Sequence, residues 1–184
     1  MQGLLQSIRL DADADQAFTE AWTQQEVPKG YSLVQPGSLC RYLYFIERGL
    51  TRTFYIKDGK DVTDWISTDG TFAVSIVSFL TGTSDIRGIE TLEASVLWAI
   101  SRDTLERLYT QYPAIERFGR ILMSEGIVQM QRRFDDLHFT TAAERYRRLM
   151  KTAPQILQRV PLGMVASYLG MAPETLSRIR AGGF

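Results

Sequence analysis

Apolar residues change period twice along the chain, and the changes divide it into three stretches. Residues 12–25 read as an amphipathic helix, broken at Val27-Pro28-Lys29-Gly30. Short β-branched and aromatic runs follow at Tyr31–Val34, Tyr42–Ile46, Leu50–Ile56, Asp61–Ile66 and Ser95–Ile100. Pro36-Gly37, Arg48-Gly49, Asp58-Gly59 and Asp69-Gly70 separate them, and Asp58-Gly59 is the strongest hairpin signal. Regular short strands with turn glycines predict an antiparallel β-roll or jelly roll rather than βαβ units.

From about Arg102 the period becomes helical. A short helix over Asp103–Tyr112 is halted by Pro113, and a long one runs over 114–138. On it Met123, Ile127, Met130, Phe134 and Leu137 alternate spacings of four and three, the seam of a coiled coil, which predicts a homodimer. Phe118, Ile121, Leu122 and Val128 form a second face able to pack on the roll. The alternative is one helix burying both stripes within its own domain.

The last stretch reads as a helix-turn-helix. Val165, Ala166 and Leu169 make one apolar face, Gly170 supplies the left-handed turn residue, and Leu176 and Ile179 resume an apolar face. Pro173 suits the first turn of the second helix, where a missing N–H leaves no bond unmade. An ordinary helical hairpin needs the apolar faces and the glycine but not this register. Glu174, Thr175, Ser177, Arg178 and Arg180 fall on the exposed side, with side chains suited to base edges and phosphates: arginine to guanine, glutamate to cytosine N4, hydroxyls to either. Double-stranded DNA is therefore the expected partner.

Charge supports this only after the chain is divided. The whole has 21 basic and 21 acidic residues. Residues 139–184 hold seven basic and two acidic ones, so a basic end sits on an acidic body. At 184 residues the chain fits one moderate domain, 1–138, and a small one, 139–184. No membrane-length apolar run occurs, and the start, Met1-Gln2-Gly3-Leu4-Leu5, lacks signal-peptide features, so a cytoplasmic location is expected. Cys40, the single cysteine, excludes an internal disulfide and is expected half-buried in the core, with redox sensing as a lesser alternative. His138, the single histidine, falls at the hinge with only Asp135 and Asp136 near it, so no metal or cofactor is expected. No Ser/His/Asp order, phosphate loop or recognisable carboxylate pair suggests an enzyme.

Two stretches together resemble the Crp/Fnr family of transcription regulators. One is Pro36-Gly37 followed by Leu43–Gly49 and Lys57–Val62, similar to the family's opening strands and hairpin; the other is Val165–Arg180, above all Glu174–Ile179, similar to its recognition helix. Phe139–Met150 resembles the hinge and first helix of the family's DNA-binding domain. The resemblance implies an α+β protein: a cyclic-nucleotide-binding-like β-roll sensor, a dimerisation helix and a reading head, with RNA polymerase as a further partner. It also implies base-reading roles for Glu174 and Arg178, while Pro173 departs from the arginine of well-known members.

The sensor cassette departs further. Members that bind cyclic AMP carry Gly-Glu for the ribose and Arg-Ser or Arg-Thr for the cyclic phosphate. Here Gly70 and Phe72 align with the pattern and place Val74 and Ser75 at Gly-Glu, and Asp85 and Ile86 at Arg-Ser. An aspartate repels a phosphate, and Arg87 substitutes only if the loop shifts register. Met130 and Gln131 fall where adenine-contacting hydroxyls are expected. These differences argue against cyclic AMP and leave a small-molecule effector unidentified. Trp65, Phe72, Phe79 and Trp98 either line an apolar pocket or are plain core. The chain as given stops at Ala181-Gly182-Gly183-Phe184, where family members continue into a β-hairpin wing, so phosphate contacts are expected from Arg145, Arg147, Arg148, Lys151 or Arg159. The rival reading is a small-molecule-binding or protein-interaction module of this fold that has lost specific DNA binding.

Overall fold

A computed structural model describes residues 10–182; the chain's first nine residues and its last two, including part of the expected wingless end, lie outside the described residues. The fold is α+β. Helix α1 (Ala12–Glu20) opens on Asp11, whose carboxylate accepts the Ala14 N–H at 2.8 Å. It ends five residues before the expected boundary, and Thr23–Val27 is strand β1 instead. The run Thr23-Gln24-Gln25-Glu26 offers no apolar stripe to a helix, and its backbone groups are satisfied by antiparallel pairing with Ser95–Ala99. Trp22 is buried at the junction, its ring edge-on to Phe18 at 5.7 Å.

Seven further strands follow: β2 (Ser32–Val34), β3 (Tyr42–Arg48), β4 (Leu50–Lys57), β5 (Lys60–Thr68), β6 (Phe72–Ala73), β7 (Gly88–Thr91) and β8 (Ser95–Ser101). They form two four-stranded antiparallel sheets, ordered β1-β8-β3-β6 and β2-β7-β4-β5. The hairpin at Asp58-Gly59 is as expected: both residues have positive φ, 52° and 73°, and Lys57 pairs with Lys60. In β5 the pairs Thr53–Trp65 and Phe54–Thr63 leave Asp64 as an extra, bulged residue. Gly49 turns β3 into β4 at φ 130°, where a Cβ would lie 2.2 Å from the Ser95 hydroxyl, so no other residue fits.

A short helix α2 (Ile76–Thr81) interrupts the roll between β6 and β7. Helix α3 (Arg102–Gln111) is capped by Ser101, and Pro113 both stops it and opens the 27-residue helix α4 (Pro113–Phe139). Ile115 and Phe118 of α4 join the first core around Phe18, Ile46, Ile89, Leu97 and Ile100. Leu122 packs against that core, whereas Val128, expected to pack on the roll, is exposed. Phe79 is core, and Phe72 packs on it with Phe45 and Trp22. Trp98 also packs against this core, while its indole N–H reaches Glu47 at 2.5 Å.

Cys40 is fully buried rather than half-buried, and its thiol donates to the Tyr42 carbonyl at 3.3 Å. Burial pushes the thiol above its usual range and away from the reactive thiolate.

Four short helices complete the chain: α5 (Ala142–Thr152), α6 (Pro154–Arg159), α7 (Leu162–Tyr168) and α8 (Pro173–Arg180). Thr141 and Glu144 close a capping box at the start of α5. A second core joins Leu149, Ile156, Val160, Val165, Ala166, Leu169 and Leu176 of these helices to Leu50, Ile66 and Leu92 of the second sheet and its margin. No described helix is long and apolar enough to cross a membrane. Truncating the wholly buried Leu50 to Ala removes one of the sheet's three contributions to this second core. The variant should lose about 2–5 kcal/mol of stability in urea unfolding followed by circular dichroism.

Candidate nucleic-acid interface

The α7–α8 pair is built around a glycine-terminated helix. At the end of α7 the Met171 N–H donates to the Ala166 carbonyl at 3.0 Å and the Gly170 N–H to Ser167 at 2.9 Å, a Schellman pair with Gly170 at φ 64°. Ala166 and Leu176 are wholly buried, so α7 and α8 cross on a small residue and an apolar knob. Pro173 begins α8, whose N-cap, Ala172, offers no side chain to its free N–H groups. Pro173, Glu174, Ser177, Arg178 and Arg180 are exposed on α8, and Thr175 is half-buried beside them. Among the described residues neither Arg178 nor Arg180 forms an ion pair.

The five cations expected to meet phosphates part company. Arg159 is spent inside the molecule: its guanidinium binds Asp69 at 2.5 Å, Glu93 at 2.5 Å and the Gly49 carbonyl at 2.9 Å, tying α6 to the roll. These partners push its pKa up still further. Arg145 is turned inward onto backbone carbonyls. Arg148 pairs with Asp136 yet stays half exposed. Arg147 and Lys151 remain outward and, with Glu144 and Arg148, line a shallow cleft of about 250 Å³ on α5. Residue type alone shows a charge but not its partner, and the partners of Arg145 and Arg159 lie far along the chain.

In the roll, Ser75, Asp85 and Arg87 come together. All but 8% of the Asp85 side chain is covered. Its carboxylate accepts the Ser75 hydroxyl at 2.8 Å, the Ile86 N–H at 2.7 Å and Arg87 at 3.2 Å. Arg87 donates its Nε to Asp64, on the β5 bulge, at 2.7 Å. Burial opposes ionisation of Asp85, but the Ser75 hydroxyl and Arg87 outweigh it and hold the carboxyl below its usual value. Asp64 was invisible as a partner because only the bulge turns it to Arg87.

The other pocket candidates are dispersed. Val74 packs on the first core, Trp65 is half-buried and Ile86 is exposed. Met130 and Gln131 stand on the exposed half of α4, where Gln131 bonds Asp135 at 2.8 Å. A cleft of about 390 Å³ lies elsewhere, between Leu39–Tyr42 and the start of α3.

Along the seam, Ile127 is 67% exposed, Phe134 52% and Leu137 38%, with Met130 equally open and Met123 half-buried. Phe134 stacks on His138 at 3.9 Å.

Residues 24–112 match the family model of the cyclic nucleotide-binding domain. Three solved structures share the fold. FixK2 from Bradyrhizobium japonicum is 17% identical over 88% of this chain and 83% of that one, with a TM-score of 0.73. The c-di-GMP-responsive global regulator CLP of Xanthomonas campestris is 18% identical over 94% and 93%, with a TM-score of 0.72. The Thermus thermophilus catabolite activator protein is 18% identical over 97% and 85%, with a TM-score of 0.60. Comparison with curated proteins gives no significant match.

Because the Asp85 pKa is depressed on folding, its contribution to stability is present above the ordinary aspartate value of 3.8 and is lost as pH falls through the folded-state value. Asp85→Asn should therefore lower the melting temperature at about pH 7, and the gap to the parent should narrow towards about pH 3 in thermal scans. A gap independent of pH would exclude an ionised Asp85 as the stabilising group.

Proposed function

We propose that this chain is a cytoplasmic, homodimeric, DNA-binding transcription regulator of the Crp/Fnr type that does not respond to cyclic AMP. The observation that carries the reading is the α7–α8 pair. Its Schellman turn and buried Ala166–Leu176 crossing present Glu174, Ser177, Arg178 and Arg180 on one open helix face, with neither arginine in an ion pair among the described residues. Such a face suits a major groove, where Arg178 pairs with guanine and Glu174 accepts from cytosine N4. Arg147 and Lys151 are the cations available for phosphate at the edge of the reading head.

The dimer reading rests on the open apolar seam of α4. Isolated exposed apolar residues are ordinary, but four on one helix face at alternating spacings of four and three fit a second copy of the same helix. Two reading heads related by a two-fold axis then meet successive turns of duplex. The argument against cyclic AMP is electrostatic: where its phosphate needs a cation, the chain holds Asp85, with Asp64 beyond Arg87 as a second carboxylate.

Selection of duplexes from a random-sequence library with the full chain, followed by titration at several salt concentrations, tests the function. Arg178→Ala should weaken the selected duplex by about 1–3 kcal/mol while leaving random duplex nearly unchanged. Absence of any duplex binding at low salt by an intact dimer would favour the ligand-binding or interaction module instead. Phe134→Glu should give a monomer in sedimentation equilibrium and abolish tight binding to a two-fold-symmetric site, and a variant that stays dimeric would exclude the seam. Millimolar cyclic AMP should leave the melting temperature unchanged.

A further inference from the structure

The turn between α7 and α8 is held by two arginines from outside the helix pair. A helix leaves its last carbonyls without intrahelical partners. In α7 the Schellman bonds satisfy Ala166 and Ser167, while the carbonyls of Tyr168, Leu169 and Gly170 accept side chains. Arg133 of α4 donates to Tyr168 at 2.8 Å, its guanidinium lying 4.1 Å over the same residue's ring. Arg145 of α5 donates its Nε to Leu169 at 2.7 Å and a terminal nitrogen to Gly170 at 3.4 Å.

The other arm of Arg145 reaches the end of the long helix, donating to Thr140 at 2.5 Å and to Asp136 at 3.4 Å. One guanidinium thus caps the carbonyl ends of two helices at once, with its charge at the negative pole of each. Leu137, four residues after Arg133 on α4, closes on Gly170, where an added Cβ would lie 2.7 Å from its Cδ2. Neither arginine pairs with a carboxylate among the described residues. Both are therefore committed to the end of α7 and the four-residue turn from which α8 departs.

We propose that Arg133 and Arg145 are positioning residues for DNA reading. They fasten the α7–α8 turn to the end of the dimerisation helix, so that the pitch of α8 follows the rotation of α4. The proposal rests on the DNA-binding function above and reassigns Arg145 from phosphate contact to internal clamp. The two roles differ in measurable ways, because a phosphate contact adds to affinity for any duplex and to its salt dependence, whereas a positioning group affects only the fit to the preferred site.

The test uses the full chain with Arg133→Ala, Arg145→Ala, Arg133→Lys and Arg145→Lys, the library-selected duplex, a random duplex, and hydrogen exchange without DNA. Each alanine variant should speed amide exchange across residues 168–172. Each should also bind the selected duplex about tenfold more weakly, with random-duplex affinity and salt slope unchanged. Arg133→Lys should restore binding in part, since an ammonium can still donate to the Tyr168 carbonyl but loses the guanidinium's stacking on its ring, while Arg145→Lys should not, since an ammonium cannot fork between two helix ends.

Equal loss on both duplexes, with the salt slope falling by about one per removed cation, would make these residues phosphate contacts and overturn the proposal. Unchanged binding to the selected duplex would overturn it as well. If Arg145→Ala does not fold, the Arg133 pair decides. If the parent binds no duplex, the DNA reading fails on its own account, and unchanged exchange at the turn would separately dismiss the clamp.

Discussion

Everything after the roll depends on the second sheet being covered on both sides. Its inner face closes the first core through Val34 and Ile89, and Leu50 and Ile66 carry the apolar surface on which α5, α6, α7 and α8 complete theirs. Four helices of six to eleven residues cannot bury enough surface alone. Polar contacts fix the angle of this packing. The Thr63 N–H, released from the ladder beside the Asp64 bulge, donates to the Ser167 hydroxyl of α7 at 2.9 Å, and Arg159 binds Asp69 and Glu93 across the same junction.

The β5 bulge therefore serves two neighbours at once. Asp64 turns to Arg87 and the Ser75–Asp85 cluster, and Thr63 turns to Ser167 of α7. The same strand answers a further demand at Arg52, a nearly buried cation satisfied by Asp61 at 2.5 Å, Glu90 at 2.7 Å and the Thr63 hydroxyl at 3.1 Å. A cation so enclosed is tolerable only while every partner stays in register, which makes the β4–β5 hairpin stiff where the cluster and the head both lean on it.

What could be read from residue order was what local physics determines. Asp58-Gly59 needs only its own positive φ angles, the α7–α8 pair only its Ala166, Gly170 and Pro173, and the long helix only its period. Strand β1 was missed because Thr23–Glu26 has a weak pattern and gains order solely from β8. Strands β6 and β7 are too short to show alternation, and α2 hides between them. In the cassette, Asp85 was legible as hostile to phosphate, but its stabilisation by Ser75, Arg87 and, through Arg87, Asp64 is a property of the folded loop. The basic residues of the C-terminal helices were legible as charge alone, so Arg145 and Arg159 looked like Arg147 until their carbonyl and carboxylate partners appeared.

The lone cysteine has a use that its inertness creates. Cys40 is 1% exposed, held by a bond to Tyr42 and with its backbone N–H on Ser78, in a core to which α5–α8 contribute nothing. A thiol reagent reaches it only when the segment Leu39–Tyr42, beside the cleft at the start of α3, opens. Its modification rate is therefore a private clock for that corner of the roll, set apart from the helices on the far side of the second sheet.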